Sequence, residues 1–350
     1  MIDKKIYKNK KVLITGHTGF KGSWLSCILS SWGAEVHGLS IDVPTKPALY
    51  DYIKDIFSID HRQDINDLNS LKKYFDENKP DFIFHLAAQP IVVESLINPL
   101  DTIRTNTLGT ANMLECLRIL DYPCTAVFIT SDKAYRNNEW IWGYKEDDIL
   151  GGSDPYSGSK GAAELVLYSY VKSFFHSNKP KIKIGIGRAG NVVGGGDWAA
   201  NRIIPDAMKS WSEGKVLNIR YPKSTRPWQH VLEPLSGYLK LAEKLYFEKI
   251  EIGEAFNFGP DTNKDYTVLN VVETLSKFWD GSKFSITEDK KNNEAGLLKL
   301  NCDKAASLLS WRAKLSFEQT IQWTSEWYFN FYRNQQDPKN LTLKQIEEYF

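Results

Sequence analysis

The chain has 350 residues, of which 42% are hydrophobic and 25% charged, and its formal net charge is +1. The length exceeds one ordinary domain of roughly 100–200 residues, and the balanced composition excludes a disordered chain. Near-neutrality removes bulk attraction to nucleic acid or to an anionic membrane, and no apolar run reaches the ~18–20 residues that span a bilayer. The polar, basic opening stretch has no apolar signal core. Cys27, Cys116, Cys124 and Cys302 lie far apart, with neither paired nor metal-type spacing. A soluble, cytoplasmic protein with reduced thiols and no metal is expected.

Taken in chain order, Lys11–Thr15 reads as a strand ended by Gly16, and Phe20–Trp32 as a helix with Trp24, Leu25, Ile28, Leu29 and Trp32 on helical spacings. Glu35–Leu39 is a second strand, followed by an irregular, proline-containing stretch through Asp51. Asp67–Glu77 reads as a helix, Asp81–Leu86 as a buried strand, Thr102–Leu120 as a long helix and Thr125–Thr130 as a strand. Tyr156–Phe175 is strongly helical, and Lys181–Gly187 is again a strand. Apolar strands alternating with helices pair in parallel through helical crossovers, which predicts an α/β, Rossmann-type doubly wound parallel sheet. Beyond about Gly190 the pattern is more helical: helices over Ile203–Ser212, Glu233–Phe247, Val268–Trp279, Asp303–Leu308 and Phe317–Tyr332, with strands over Val216–Arg220 and Glu254–Phe258. Gln335–Phe350 reads as a short terminal helix or an interface arm.

The first strand runs into Gly16-His17-Thr18-Gly19-Phe20-Lys21-Gly22 and then a helix. Glycines at this turn let the backbone bend tightly and approach a pyrophosphate at the positive helix N-terminus. Placed after the first strand of a βαβ pattern, G-x-x-G-x-x-G points to a dinucleotide site. His17 and Lys21 are either added phosphate donors or solvated loop residues. NAD-selective sites commonly carry an acid about 20 residues on. Ser40 stands there, with Asp42 two residues later and no arginine to meet a 2′-phosphate, which favours NAD. Asp64 either contacts the adenine edge or caps a helix before Leu68.

Tyr156 and Lys160 lie four residues apart, on one helix face. A nearby ammonium stabilises phenolate and lowers a tyrosine from ~10, so that it serves as a base near neutral pH. Ser131, Asp132 and Lys133 end a strand at its carboxyl edge, where open α/β sheets bind ligands. They offer a hydroxyl donor, an acid and a base together, or else a turn with a surface ion pair.

GHTGFKGSWL, HLAAQ (His85–Gln89), TSDKAY (Thr130–Tyr135), YSGSK (Tyr156–Lys160), RAGNVVGGGDWA (Arg188–Ala199) and RPWQHVLEPLSGYL (Arg226–Leu239) together resemble the extended short-chain dehydrogenase/reductase family. Within it they are similar to the nucleotide-sugar 4,6-dehydratases, over essentially the whole chain. The resemblance implies a dinucleotide-binding domain with the catalytic groups over residues 1–190. A mainly nucleotide-sugar-binding domain follows over 191–350, with segments free to interleave. NAD would be held by Gly16, His17, Gly19, Phe20, Lys21, Gly22, Ser40, Asp42, Asp64, Leu86, Ala87, Ala88, Tyr156 and Lys160.

For the substrate, with CDP-glucose favoured, the candidates are Gln89, Asn191, Trp198, Arg202, Arg220 and Arg226. Arg226 leads, because a guanidinium grips a diphosphate bidentately. Trp198, Trp228 and Tyr221 either stack on the base or simply pack, and Gln229 and His230 read as core residues. The reaction implied is oxidation at carbon 4 with Tyr156 as base, supported by Lys160 and Ser131. Loss of water across carbons 5 and 6 follows, with Asp132 as acid, and then return of hydride to carbon 6. Lys133, where the dTDP-glucose enzymes typically have Glu, is either the carbon-5 base or an orienting group. The family also implies a homodimer paired through two helices of the first domain. The alternatives are a GDP- or UDP-hexose dehydratase or epimerase, and a non-catalytic dinucleotide sensor.

Overall fold

The computed structural model describes residues 2–175, 181–260, 264–287 and 297–350. Its strands are β1 (Lys11–Thr15), β2 (Glu35–Ser40), β3 (Phe57–Arg62), β4 (Phe82–His85), β5 (Cys124–Ile129), β6 (Ile182–Ala189), β7 (Val192–Val193), β8 (Leu217–Ile219), β9 (Gln229–His230), β10 (Ala255–Phe258) and β11 (Phe284–Ile286). Seven of them form one sheet in the order β10-β6-β5-β4-β1-β2-β3, with every pairing parallel. β1, β4 and β5 are apolar and buried on both faces, as strands covered by helices on each side must be. The chain leaves β1 toward β2 on one side and returns to β4 on the other. The crevice between β1 and β4, at their carboxyl ends, is therefore the topological switch point where such sheets bind ligands.

Two apolar layers flank the sheet. One contains Trp24, Leu25 and Ile28 of the helix Phe20–Ser31 with Leu235, Leu239 and Leu241 of the helix Leu232–Tyr246. The other contains Leu71 and Phe75 of Leu68–Asn78, Leu114 and Leu117 of Gly109–Ile119, and Leu167 of Pro155–Tyr170. The short pairs β7–β9 and β8–β11 stand outside the main sheet.

Several elements differ from expectation. β3 falls in a stretch for which no strand was predicted. FSIDHR is an edge strand with only partly buried apolar positions, so it lacks the apolar run that marks a central strand. The long helix expected over Thr102–Leu120 begins at Pro99 and passes through a π-helical stretch, Arg104–Leu108. β10, from the second half of the chain, pairs with β6 in the main sheet. The last helix, Pro338–Tyr349, buries Leu341, Ile346 and Tyr349 in the main core, so it is no projecting arm. All four cysteines are free, and Cys27, Cys116 and Cys124 are buried.

A buried ion pair braces the catalytic edge. Arg188 on β6 places Nε 2.9 and 2.8 Å from the two carboxylate oxygens of Glu164, while Thr130 donates to the same carboxylate at 2.6 Å. The Arg188 guanidinium also donates to the Tyr135 hydroxyl at 2.6 Å, which in turn donates to Asn257 on β10 at 2.8 Å. Replacing Arg188 with Met strands the Glu164 carboxylate in the core. Equilibrium urea unfolding is expected to show a loss of about 3–5 kcal/mol.

Candidate active site

The turn after β1 is built around two close approaches. Gly16 has φ +74°, its N–H donates to the Leu39 carbonyl at 2.8 Å, and a Cβ on it would lie 2.8 Å from the Ala87 nitrogen. A Cβ on Gly22 would lie 2.2 Å from the Gly16 carbonyl oxygen. Gly19 caps the helix Phe20–Ser31, whose N-terminus opens onto the crevice. Leu86, Ala87 and Ala88 form the facing wall after β4, pinned where the N–H groups of Leu86 and Ala87 each donate to Thr15 at 3.1 Å. A cradle of backbone that no side chain can enter, at a helix N-terminus, fits the diphosphate of a dinucleotide.

His17 is not a solvated loop residue, nor does its ring serve a phosphate. The ring is buried, with Nδ1 2.9 Å from Ser40 Oγ and Nε2 2.9 Å from Asp60 Oδ1, so it ties the loop to β2 and β3. Burial pushes its pKa down, partly offset by Asp60. Ser40 spends its hydroxyl on this bond and on the Thr18 N–H at 3.4 Å. Asp42 is exposed, and its carbonyl accepts from Thr18 at 2.6 Å.

An arginine does stand beside Ser40, contrary to expectation. Arg62 pairs with it across β2 and β3 and holds NH1 2.7 Å from Asp60, which balances its charge. Asp64 accepts from the backbone and side chain of Asn66 at 2.9 and 3.0 Å, and the helix cap is Asp67 instead. Lys21 points toward the catalytic groups, its Nζ 6.0 Å from the Tyr238 ring centroid. Burial pushes Lys21 down to about 8 against the attraction of Asp132, with Arg202 and Lys160 lowering it further.

At the carboxyl end of β5 the turn is a buried, hydrogen-bonded one and not a surface ion pair. Ser131 and Asp132 are buried, and Ser131 Oγ donates to Asp132 Oδ1 at 2.9 Å while accepting from the Lys133 N–H at 3.2 Å. Asp132 Oδ2 is buried with no partner among the described residues. Burial raises the Asp132 carboxyl, against Lys133, Ser131 and Lys21, and a raised carboxyl is a proton donor in waiting. Tyr156 and Lys160 are both buried on the helix Pro155–Tyr170, which starts with Asp154 as cap and Pro155 in its first turn. Tyr156 departs from expectation: burial pushes it up to about 12, with the Ser131 hydroxyl and Arg202 pulling the other way. Lys160 itself is pushed down to about 8 by burial.

Asn106 is a site residue that sequence reasoning missed. Buried in the π-helical stretch, it donates to Ser159 Oγ at 2.9 Å and to the Gln89 carbonyl at 3.1 Å, tying the wall after β4 to the tyrosine helix. Its signal was a polar Thr-Asn-Thr cluster interrupting an apolar helical run. Gln89 uses its side chain in the same brace, donating to Thr102 at 2.8 Å and to the Ile91 carbonyl at 3.0 Å.

The candidate substrate residues separate. Arg202 reaches the catalytic groups, acting on Tyr156 and Lys21, and is held 2.7 Å from Asp197. Arg226 lines a cavity of about 270 Å³ together with Trp228, Lys264, Tyr266, Lys299 and Phe317. Arg220 is exposed beyond β8, and Asn191 is half-buried just before β7. Trp198 belongs to packing: its Nε1 donates to Tyr332 at 2.9 Å and its ring meets Trp327, Tyr328 and Phe331 edge-on. His230 is core, buried between Trp24 and Trp323, and burial pushes it down to about 3.

Fold and site together define a Rossmann-type enzyme in which a buried tyrosine, lysine, serine and acid converge on a dinucleotide crevice. A family model described as GDP-mannose 4,6 dehydratase matches residues 13–324, and the chain belongs to that family of nucleotide-sugar 4,6-dehydratases. It is 42% identical to the CDP-glucose 4,6-dehydratase of Salmonella typhimurium, an alignment covering 100% of this chain and 98% of that protein. It is 25% identical to the dTDP-glucose 4,6-dehydratase of Haemophilus influenzae, covering 91% and 97%. Among solved structures, a dTDP-glucose 4,6-dehydratase from Streptomyces venezuelae with NAD and TYD bound superposes with TM-score 0.78 at 21% identity, covering 94% of this chain and 99% of that one.

Proposed function

We propose that this enzyme converts CDP-glucose to CDP-4-keto-6-deoxyglucose with NAD as its resident cofactor. The observation that carries this reading is the whole-length similarity to a CDP-glucose 4,6-dehydratase, in a chain whose Ser131, Asp132, Tyr156 and Lys160 converge in one buried site. When bound, NAD supplies a hydride acceptor for carbon 4, a hydride donor for carbon 6 and a positive ring that favours a nearby phenolate. Gly16, Gly19, Gly22 and Leu86–Ala88 would hold its diphosphate side.

The chain's own groups carry the protons. Tyr156 takes the proton of the 4-hydroxyl, steadied by Ser131 and by the ammonium of Lys160. The ketone at carbon 4 acidifies carbon 5, whose proton leaves to a base, the role we assign to Lys133. Asp132, whose carboxyl is raised by burial, gives its proton to the departing 6-hydroxyl, and water is lost. Replacing Lys133 with Met is expected to slow exchange of carbon 5 with solvent deuterium at least tenfold. Dehydration at the normal rate would remove Lys133 from the reaction.

Arg226 and its cavity are suited to the nucleotide diphosphate, with most of residues 191–350 around the sugar nucleotide and β10 completing the cofactor sheet. Free, buried thiols fit a reducing cytoplasm, and no helix among the described residues is long and apolar enough to cross a membrane. Leu96, Ile97, Leu100, Leu165 and Tyr168 lie exposed on the neighbouring helices Val92–Ile97, Pro99–Ile103 and Pro155–Tyr170. Two copies that pair these faces make a bundle, so sedimentation is expected to give a dimer that Leu100→Asp with Leu165→Glu converts to monomer.

The reading is tested by incubating the enzyme with CDP-, GDP-, UDP- and dTDP-hexoses and following mass. CDP-glucose is expected to lose one water with no net change in the dinucleotide. Turnover of a GDP- or UDP-hexose, with none of CDP-glucose, would overturn the specificity and leave the chemistry standing.

A further inference from the structure

Behind the catalytic acid lies a tyrosine to which the reaction above gives no task. Tyr238, on the helix Leu232–Tyr246, is fully buried, and its hydroxyl has no hydrogen-bond partner among the described residues. The backbone makes room for its ring. On β6, a Cβ at Gly187 would lie 2.8 Å from Tyr238 Cδ1 and Cε1, while Phe258 of β10 meets the ring edge-on at 5.5 Å. Room is likewise kept beside Asp132, where a Cβ at Gly190 would lie 2.8 Å from Oδ2. That Oδ2 is likewise a buried polar atom without a partner among the described residues. Asp132 and Tyr156 both bear electrostatically on the Tyr238 hydroxyl, and Lys21 sits over the ring at 6.0 Å. Two unpartnered buried groups, a donor beside Gly187 and an acceptor beside Gly190, that act electrostatically on one another are complementary.

We propose that Tyr238 is a positioning residue for the catalytic acid, its hydroxyl donating to Asp132 Oδ2 through one bridging water. The inference rests on the reading of Asp132 as the acid that protonates the 6-hydroxyl. A carboxyl oxygen offers two lone-pair directions, so one carries the proton to the sugar while the other accepts from the bridging water. When the proton has left, the new carboxylate is buried, and a donor on Oδ2 complements the Ser131 donor on Oδ1. Three other charged or titratable groups face this carboxyl, Lys133 from its own turn, Lys21 from the first helix and Tyr156 from the tyrosine helix, and Arg202 acts in turn on Lys21 and Tyr156.

The test is Tyr238→Phe, which keeps the ring and removes only an unpaired hydroxyl, studied with CDP-glucose alone and in an Asp132→Asn background. A donor to the charged form holds the acid's pKa down. Its loss is therefore expected to move the basic limb of the elimination rate up by about one pH unit and to slow elimination about tenfold. Formation of the 4-keto sugar is expected to stay within twofold, and in the Asp132→Asn background the substitution is expected to change nothing further. An unchanged limb and rate, or an equal loss in both backgrounds, would overturn the proposal. A wild-type protein that does not dehydrate CDP-glucose would instead count against the functional reading.

Discussion

Tyr156→Phe is expected to lower turnover by about 10²–10⁴-fold while leaving the fold and dinucleotide affinity within a factor of about two. The magnitude follows from what the hydroxyl must do. It lies buried and pushed up to about 12, so by itself it is a poor base near neutral pH. The site partly offsets that burial with Ser131 and Arg202, and Lys160 lies one helical turn away on the same helix face. Phe keeps the ring and removes the hydroxyl proposed to accept the 4-hydroxyl proton. Mass spectrometry for turnover, with calorimetry for dinucleotide binding, checks both halves of the expectation. Retention of a tenth or more of the activity would move the base elsewhere.

Asp132→Asn is expected to separate the two halves of the proposed reaction. Oxidation at carbon 4 does not need the acid, whereas expulsion of hydroxide from carbon 6 does. Elimination is expected to slow by about 10²–10³-fold, with the 4-keto hexose accumulating to the level of enzyme sites. The pH sign follows from the same burial. Burial raises the Asp132 carboxyl, so the wild-type acid is competent below that raised value, and elimination falls as pH climbs through it. Asn cannot ionise there, and the residual rate is expected to lose this limb. Rapid-quench analysis of the sugar across pH reads both effects.

Much of this site is legible in the sequence, and what escapes has physical reasons. The phosphate loop is readable because KVLIT, the glycine spacing and the apolar helix after it follow from local backbone demands. Tyr156 and Lys160 share a helix face by spacing alone, and Ser131 and Asp132 fall at a strand's carboxyl end. β3 escapes because an edge strand has little to bury, and with it go Asp60 and Arg62, the partners that give His17 its place. The tyrosine's acidity was misjudged because spacing shows which charges are near but not how much water is excluded. Burial outweighs the neighbours here. Trp198 looked available for stacking because the helix that receives it, Phe317–Tyr332, lies more than a hundred residues further along the chain. Tyr238 is similar, since its place beside Gly187 exists only once the helix Leu232–Tyr246 lies against β6.

The most direct test of the account follows one hydrogen. CDP-glucose carrying deuterium at carbon 4 is turned over in ordinary water, and the product is analysed by NMR. If carbon 4 is oxidised, water is lost and the same hydrogen returns within one closed site, deuterium is found at carbon 6 and a solvent proton at carbon 5. Deuterium lost to solvent, or product unlabelled at carbon 6, would contradict the account.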